Sequence, residues 1–189
     1  MLLTFRNFAL EMLELNDVLI RGEQSTLSMM AREGQLTCLV GGNVRWLHAI
    51  LGFEPIISGF ISIDGEPLTP RSAVAMRRLM AFVPVSLDAV GEINVYEPPT
   101  VQDVFALRAN REQAISNGLL SEEMKRTGTT GIKAQLLAVA VLLNRRILLI
   151  DRPDAASLPY LRHQADAGRI VVICSDDSAV INAADNVVE

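Results

Sequence analysis

At 189 residues the chain is long enough for one domain with a real core and too short for two comfortable ones. Half of its residues are hydrophobic and 21% are charged, which excludes a disordered chain, and a net charge of −5 argues against the basic surface that nucleic-acid binding requires. Cys38 and Cys174 both sit in apolar runs, which predicts reduced, buried thiols of a cytosolic protein rather than a disulfide framework, and His48 and His163 lack metal-ligand spacing.

In chain order, residues 1–12 (MLLTFRNFALEM) are apolar but carry Arg6 and Asn7 and lack a small-residue cleavage site, so they read as a leader and not as a signal peptide. Leu13 to Ile20 alternates as a strand, and Thr26 to Ala31 offers its partner across a turn containing Gly22, giving an antiparallel β edge. Glu33 to Gly52 then reads as strand, glycine turn and helix. Leu36 to Val40 is a nearly unbroken apolar run suited to a strand covered on both faces, Gly41 and Gly42 supply the turn, and Trp46, Leu47, Ala49, Ile50 and Leu51 share one helical face. Such a strand-to-helix turn is where α/β proteins hold phosphates, because free N–H groups and the helix dipole favour an anion.

Phe60 to Ile63 forms a further strand before the turn signal Asp64-Gly65, Arg71 to Leu79 reads as a helix, and Met80 to Val83 as a buried strand ahead of Pro84. Between Val85 and Gly131 the pattern breaks at Gly91, Pro98 and Pro99; Thr100 with Asp103 then predicts a capping box for a helix over Val101 to Ile115, with a second short helix from Ser121. Lys133 to Leu143 has good helix formers and is apolar nearly all round, which predicts a buried helix; its apolar run from Leu136 to Leu143 is far below the ~18–20 residues of a membrane span. A core strand, Arg146 to Asp151, ends in an acid. Ile170 to Cys174 is the next strand, Ser178 to Ala184 a short helix and Asn186 to Val188 a last strand, so that strands alternate with helices as in an α/β fold with a mainly parallel sheet.

Five sequence features in this order resemble the nucleotide-binding domain of ATP-binding-cassette (ABC) transporters from about Leu13 to Glu189. They are Ala49-Ile50-Leu51-Gly52 followed by a strand ending in Asp64-Gly65; Phe82-Val83-Pro84-Val85, similar to a strand ending in V-P-Q; Gly128-Thr129-Thr130-Gly131-Ile132 at the place of the LSGGQ signature; Leu148-Leu149-Ile150-Asp151-Arg152-Pro153, similar to L-L-D-E-P; and Cys174-Ser175-Asp176-Asp177, similar to T-H-D. The resemblance implies a P-loop NTPase-like three-layer α/β fold with a mainly parallel central sheet, an antiparallel β edge subdomain and a reduced helical insert. It divides the chain into a leader at 1–12 and one domain at 13–189, with the core and β edge at 13–84 and 132–189 and the insert at 85–131. ATP and Mg2+ would lie against Gly41, Gly42, Asn43, Val44, Arg45, Thr129 and Gly131, with Asp151 orienting the metal.

The departures from that family each remove a piece of chemistry. A phosphate loop of the form G-x-x-x-x-G-K-[S/T] neutralises phosphate with its lysine and holds magnesium with its hydroxyl, whereas Asn43 stands in the lysine's place, Val44 and Arg45 in the hydroxyls', and the loop is about four residues short. The only lysines are Lys125 and Lys133. Val85 replaces the glutamine, Arg152 the glutamate that would activate water, Asp176 the switch histidine and Thr130 the first signature glycine, and no aromatic lies near Arg21 and Gly22 to stack on adenine.

Each retained residue also has a plain reading: Asp151 paired with Arg152, Gly41 and Gly42 as a tight turn, Arg45 exposed, Trp46 in the core, and Thr129 with Gly131 as an ordinary helix start. The expectation is therefore an ABC-type subunit with weak or absent ATP binding and no assigned catalytic residue, Arg152 and Asp176 occupying the glutamate and histidine positions. The resemblance further implies a homodimer or a heterodimer with another ABC ATPase subunit, docked on a membrane-embedded permease at the inner face of the membrane, with no nucleic-acid partner. A working ATPase using Arg45 and Arg152 as phosphate clamps, or a scaffold unrelated to transport, are the alternatives.

Overall fold

A computed structural model describes residues 12–41, 43–85 and 118–189. The leader apart from Met12, Gly42, and the helix expected over Val101 to Ile115 lie outside the described residues. The strands are β1 (Met12–Ile20), β2 (Leu27–Arg32), β3 (Leu36–Val40), β4 (Ile56–Ile63), β5 (Glu66–Pro67), β6 (Met80–Val83), β7 (Ile147–Asp151), β8 (Ile170–Ser175) and β9 (Asn186–Val188). The helices are α1 (Arg45–Ile50), α2 (Ala73–Arg77), α3 (Leu119–Arg126), α4 (Gly131–Leu142), α5 (Leu158–Asp166) and α6 (Ser178–Asn182), with one 3-10 turn over Ala155–Ser157.

Two sheets form. One is antiparallel with strand order β2-β1-β4-β5; the other, β6-β7-β8-β3-β9, is parallel throughout. The antiparallel edge is larger than its sequence signal, because β4 begins at Ile56 and pairs along β1 from Leu13↔Ile63 to Ile20↔Ile56. The central strands β7 and β8 are buried at every position, and apolar apart from their terminal Asp151 and Ser175, for a physical reason: both their faces are covered. Ile147, Leu149, Ile170, Val172 and Cys174 point into one core shared with the antiparallel sheet and α1, where Leu13, Leu15, Trp46 and Leu47 meet them. Leu148, Ile150, Val171, Ile173 and Cys38 point into a second core closed by Leu137, Ala140, Leu161 and Val180 of the helices. Three layers result. Cys38 and Cys174, buried and free, fall on opposite faces of the parallel sheet and cannot bridge.

The helix after the glycine turn is short. It ends at Gly52, whose φ of 75° suits a glycine, and Arg77 Nη1 donates to the Leu51 carbonyl at 3.0 Å while its guanidinium lies over the Phe53 ring at 5.1 Å. His48 packs edge-on to Phe82 at 5.6 Å between centroids, so it serves packing, and no described group of His, Cys, Asp or Glu could hold a metal ion. Among the described residues, no helix is long and apolar enough to cross a membrane.

Candidate functional site

The loops after β3, β6, β7 and β8 leave the carboxyl ends of parallel strands, the end where α/β sheets build their sites, while the Thr129–Gly131 turn joins α3 to α4. β3 turns out through Gly41 at φ 93° and reaches Asn43, Val44 and Arg45. Asn43 is used locally: its Oδ1 accepts from the Arg45 N–H at 3.1 Å, and its Nδ2 donates to Glu23 Oε1 at 2.9 Å. Val44 packs on the core and supplies no side-chain cap to α1. The Arg45 guanidinium, rather than lying free, is shared between Glu23 Oε1 at 3.3 Å and Glu54 Oε1 at 2.7 Å, and it also donates to the Arg21 carbonyl. The hydrogen bond it donates to Glu54 is the main reason its pKa is raised. Burial holds the His48 imidazole on the next turn below its ordinary pKa, against the pull of Asp151 and Glu54, so it is neutral at pH 7.

At the end of β7, Asp151 is 1% exposed and accepts from Arg152 Nε at 3.2 Å. Arg152 adopts a left-handed backbone with φ 46°, its N–H donating to the Cys174 carbonyl at 2.8 Å. This geometry turns the side chain back over the acid, and the Asp151 hydrogen bond, its charge and, more weakly, exposed Asp176 raise the Arg152 pKa. Burial first, and the Asp151 charge second, push the neighbouring Cys174 thiol up to about 12. Val85 is half-buried just past β6.

Thr129 does not cap α4. The cap position falls on Thr130, without a side-chain bond, and the Thr129 hydroxyl donates to Asp154 Oδ2 at 2.6 Å. Lys133 meets Asp154 Oδ1 at 2.5 Å and the Arg152 carbonyl at 3.4 Å, so the turn holding Thr129 and Gly131 is fastened to the segment after β7. The structure thus gathers the expected residues into two clusters, Asn43 with Arg45 and Thr129 with Asp151 and Arg152. Their partners Glu23, Glu54, Lys133 and Asp154 escaped the sequence reading.

Asp154 is held below the ordinary carboxylate range chiefly by Lys133, then by Thr129, and Asp185 is held low chiefly by Arg162 and then by the Leu36 N–H. A folded pKa below the unfolded value adds stability that is present above the unfolded value and disappears as pH falls through the folded one. Urea midpoints should therefore hold steady from neutral pH to about pH 5 and fall below about pH 4. Asp154→Asn should flatten part of that acid limb.

A strand, turn and helix, with a strand ending in an acid one strand away across β8, inside a three-layer parallel-sheet domain, define the P-loop NTPase class of fold. Comparison with known proteins narrows it. The nucleotide-free ATP-binding cassette of an ABC transporter superposes with a TM-score of 0.65 at 14% identity, covering 94% of this chain and 86% of that one. Clostridium perfringens cbiO1, part of the ABC transporter complex cbiONQ, gives 0.64 at 18% identity over 94% and 84%. No protein-family model matches the chain. In sequence, the thiamine import ATP-binding protein ThiQ of Brucella abortus is 31% identical over 151 residues, 69% of this chain and 59% of that protein. The arabinose import ATP-binding protein AraG of Pectobacterium atrosepticum is 28% identical over 116 residues, 59% of this chain and 22% of that one. The chain has the fold of an ABC nucleotide-binding domain and is related in sequence to ABC ATP-binding subunits, and it spans less than two thirds of the length of these curated relatives.

Proposed function

We propose that the chain acts as an ABC-type subunit of a membrane transport complex, with ATP binding and hydrolysis lost and a structural or regulatory role kept. It pairs with a copy of itself or with a catalytically intact ABC subunit, and sits at the inner face of the membrane through a permease. Its relation to import ATP-binding proteins supports the complex. One observation carries the loss: the guanidinium at the helix start is already held between the carboxylates of Glu23 and Glu54.

Those residues do not fit a nucleotide polyphosphate. An entering phosphate would meet two acids and a guanidinium already shared between them, and the amide standing in for the lysine is itself bound to Glu23. Magnesium fares no better, because the buried acid that would orient it is paired with an arginine. The reading in which Arg45 and Arg152 clamp phosphate is disfavoured by the same two pairings.

Calorimetric titration with Mg-ATP, in a buffer free of phosphate and sulfate, should show no saturable binding up to millimolar nucleotide, and fluorescence of Trp46, adjacent to Arg45, should not change. Arg152→Glu should remain without hydrolysis. Saturable micromolar binding, about −8 kcal/mol, would overturn the loss of the site. Unchanged transport and ATP hydrolysis after removal of this chain from its mixed complex would overturn the role in the complex.

A further inference from the structure

A cleft of about 500 Å3 opens on the helical face between α3, α4 and α5, lined by Glu123, Arg126, Val141, Tyr160, His163 and Gln164 among others. It lies toward the opposite end of the sheet from the Arg45 loop: Arg169, the residue before β8, donates to Gln164 Oε1 at 2.7 Å and to the Val141 carbonyl at 3.4 Å on its wall. Nothing in the proposed transport role uses it. Its polar groups are nonetheless arranged, and they are arranged unequally.

The acceptors are already engaged. Glu123 Oε1 takes the Tyr160 hydroxyl at 2.6 Å and Oε2 takes Arg126 Nη1 at 3.3 Å. Burial and this carboxylate keep the Tyr160 phenol protonated, so it remains a donor to Glu123. Donors are left over. Gln164 is 5% exposed, its oxygen is fixed by Arg169, and its Nε2 has no hydrogen-bond partner among the described residues. That amide borders the cleft and is free to donate to an acceptor that enters it. Arg126, 69% exposed, keeps further guanidinium donors, and the His163 imidazole adds another at the rim. Val141 and the Tyr160 ring supply apolar wall, and a cleft of this size suits a small molecule held by a few convergent polar groups.

We propose that this cleft is a binding site for a small organic carboxylate with an apolar body, its carboxylate received by Gln164 Nε2 and Arg126 and its body laid against Val141 and Tyr160. The site is independent of the nucleotide question. The test uses the full chain, labelled with 15N, and three probes of one shape: phenylacetate, the neutral phenylacetamide and the cationic phenylethylamine. Phenylacetate should shift the Gln164 side-chain amide resonances saturably at millimolar concentration or below, with phenylacetamide about tenfold weaker and phenylethylamine silent. Arg126→Gln, at an exposed position that leaves the fold intact, should weaken phenylacetate about tenfold, and Gln164→Leu should abolish its binding. The proposal is overturned if those resonances stay still at millimolar phenylacetate, if the cation binds as well as the carboxylate, or if Arg126→Gln changes nothing.

Discussion

Leu149→Ala will lower the free energy of unfolding by about 3–5 kcal/mol, and Leu148→Ala will cost nearly as much. The two residues are adjacent on the central strand β7 and are 0% and 1% exposed, but they face different cores. Leu149 meets the layer of the antiparallel sheet and α1; Leu148 meets the helices. A strand covered on one side only would show one large loss and one negligible one. Such a strand is β2, where Leu27 and Met29 are buried and Ser28 is exposed with its hydroxyl bonded to Asp17, so Ser28→Thr, which keeps that hydroxyl, should stay within about 0.5 kcal/mol of the parent. Urea unfolding separates the cases, since at an ordinary slope of about 1–3 kcal/mol/M the Leu149 variant loses a molar or more of midpoint. Equal and small losses from both leucines would mean that β7 is not the centre of a three-layer domain.

Gly128→Ala should be, with Gly59→Ala, one of the two most damaging glycine-to-alanine changes of the described residues, costing about 2–4 kcal/mol. Gly128 sits at φ 75°, and an added Cβ would lie 2.2 Å from the Ala156 carbonyl oxygen, an atom of backbone that cannot rotate aside. Gly34 is the control: at φ 80° with open space around it, alanine there meets only the backbone penalty, about 1 kcal/mol. The excess at Gly128 reports the close approach of the Thr129 turn to the segment after β7. Because Thr129 and Lys133 both hold Asp154 across that approach, the variant should also lose the acid sensitivity assigned to Asp154. A Gly128→Ala cost equal to that of Gly34→Ala would show that the two segments are not packed together.

Much of this architecture could be read from the residues because its signals are local. The apolar runs of β3, β7 and β8 are continuous where both faces are buried, and Gly52 and Gly65 fall where a left-handed turn is required. Helix α5 is harder to see. Pro159 looks like a breaker, though proline is tolerated in the first turn, and Gln164 puts a polar residue on the buried side. The loop residues Asn43, Val44 and Arg45 are visible by their offset from Gly52. Their occupation is not, since Glu23 and Glu54 lie 22 and 9 positions from Arg45, and only the folding of β1 and β2 against α1 brings the three together. The Asp151–Arg152 pair is legible as one of two readings; the positive φ that turns Arg152 onto the acid decides for it.

The position of β3 has a consequence for how the protein is made. β3 spans Leu36–Val40, and both of its neighbours come from residues 170–188; even the hydrogen bond of its first residue goes to Asp185, 149 positions away. The antiparallel sheet, by contrast, is complete once Pro67 has been added. At about 5–20 residues per second, a nascent chain therefore carries a finished antiparallel sheet and a bare β3 for roughly 5–22 s, until β8 has been added. During that interval two open edges and an apolar strand await partners that the ribosome has not yet supplied, which makes this chain a substrate for chaperones that shield unpaired strands and a slow folder by contact order.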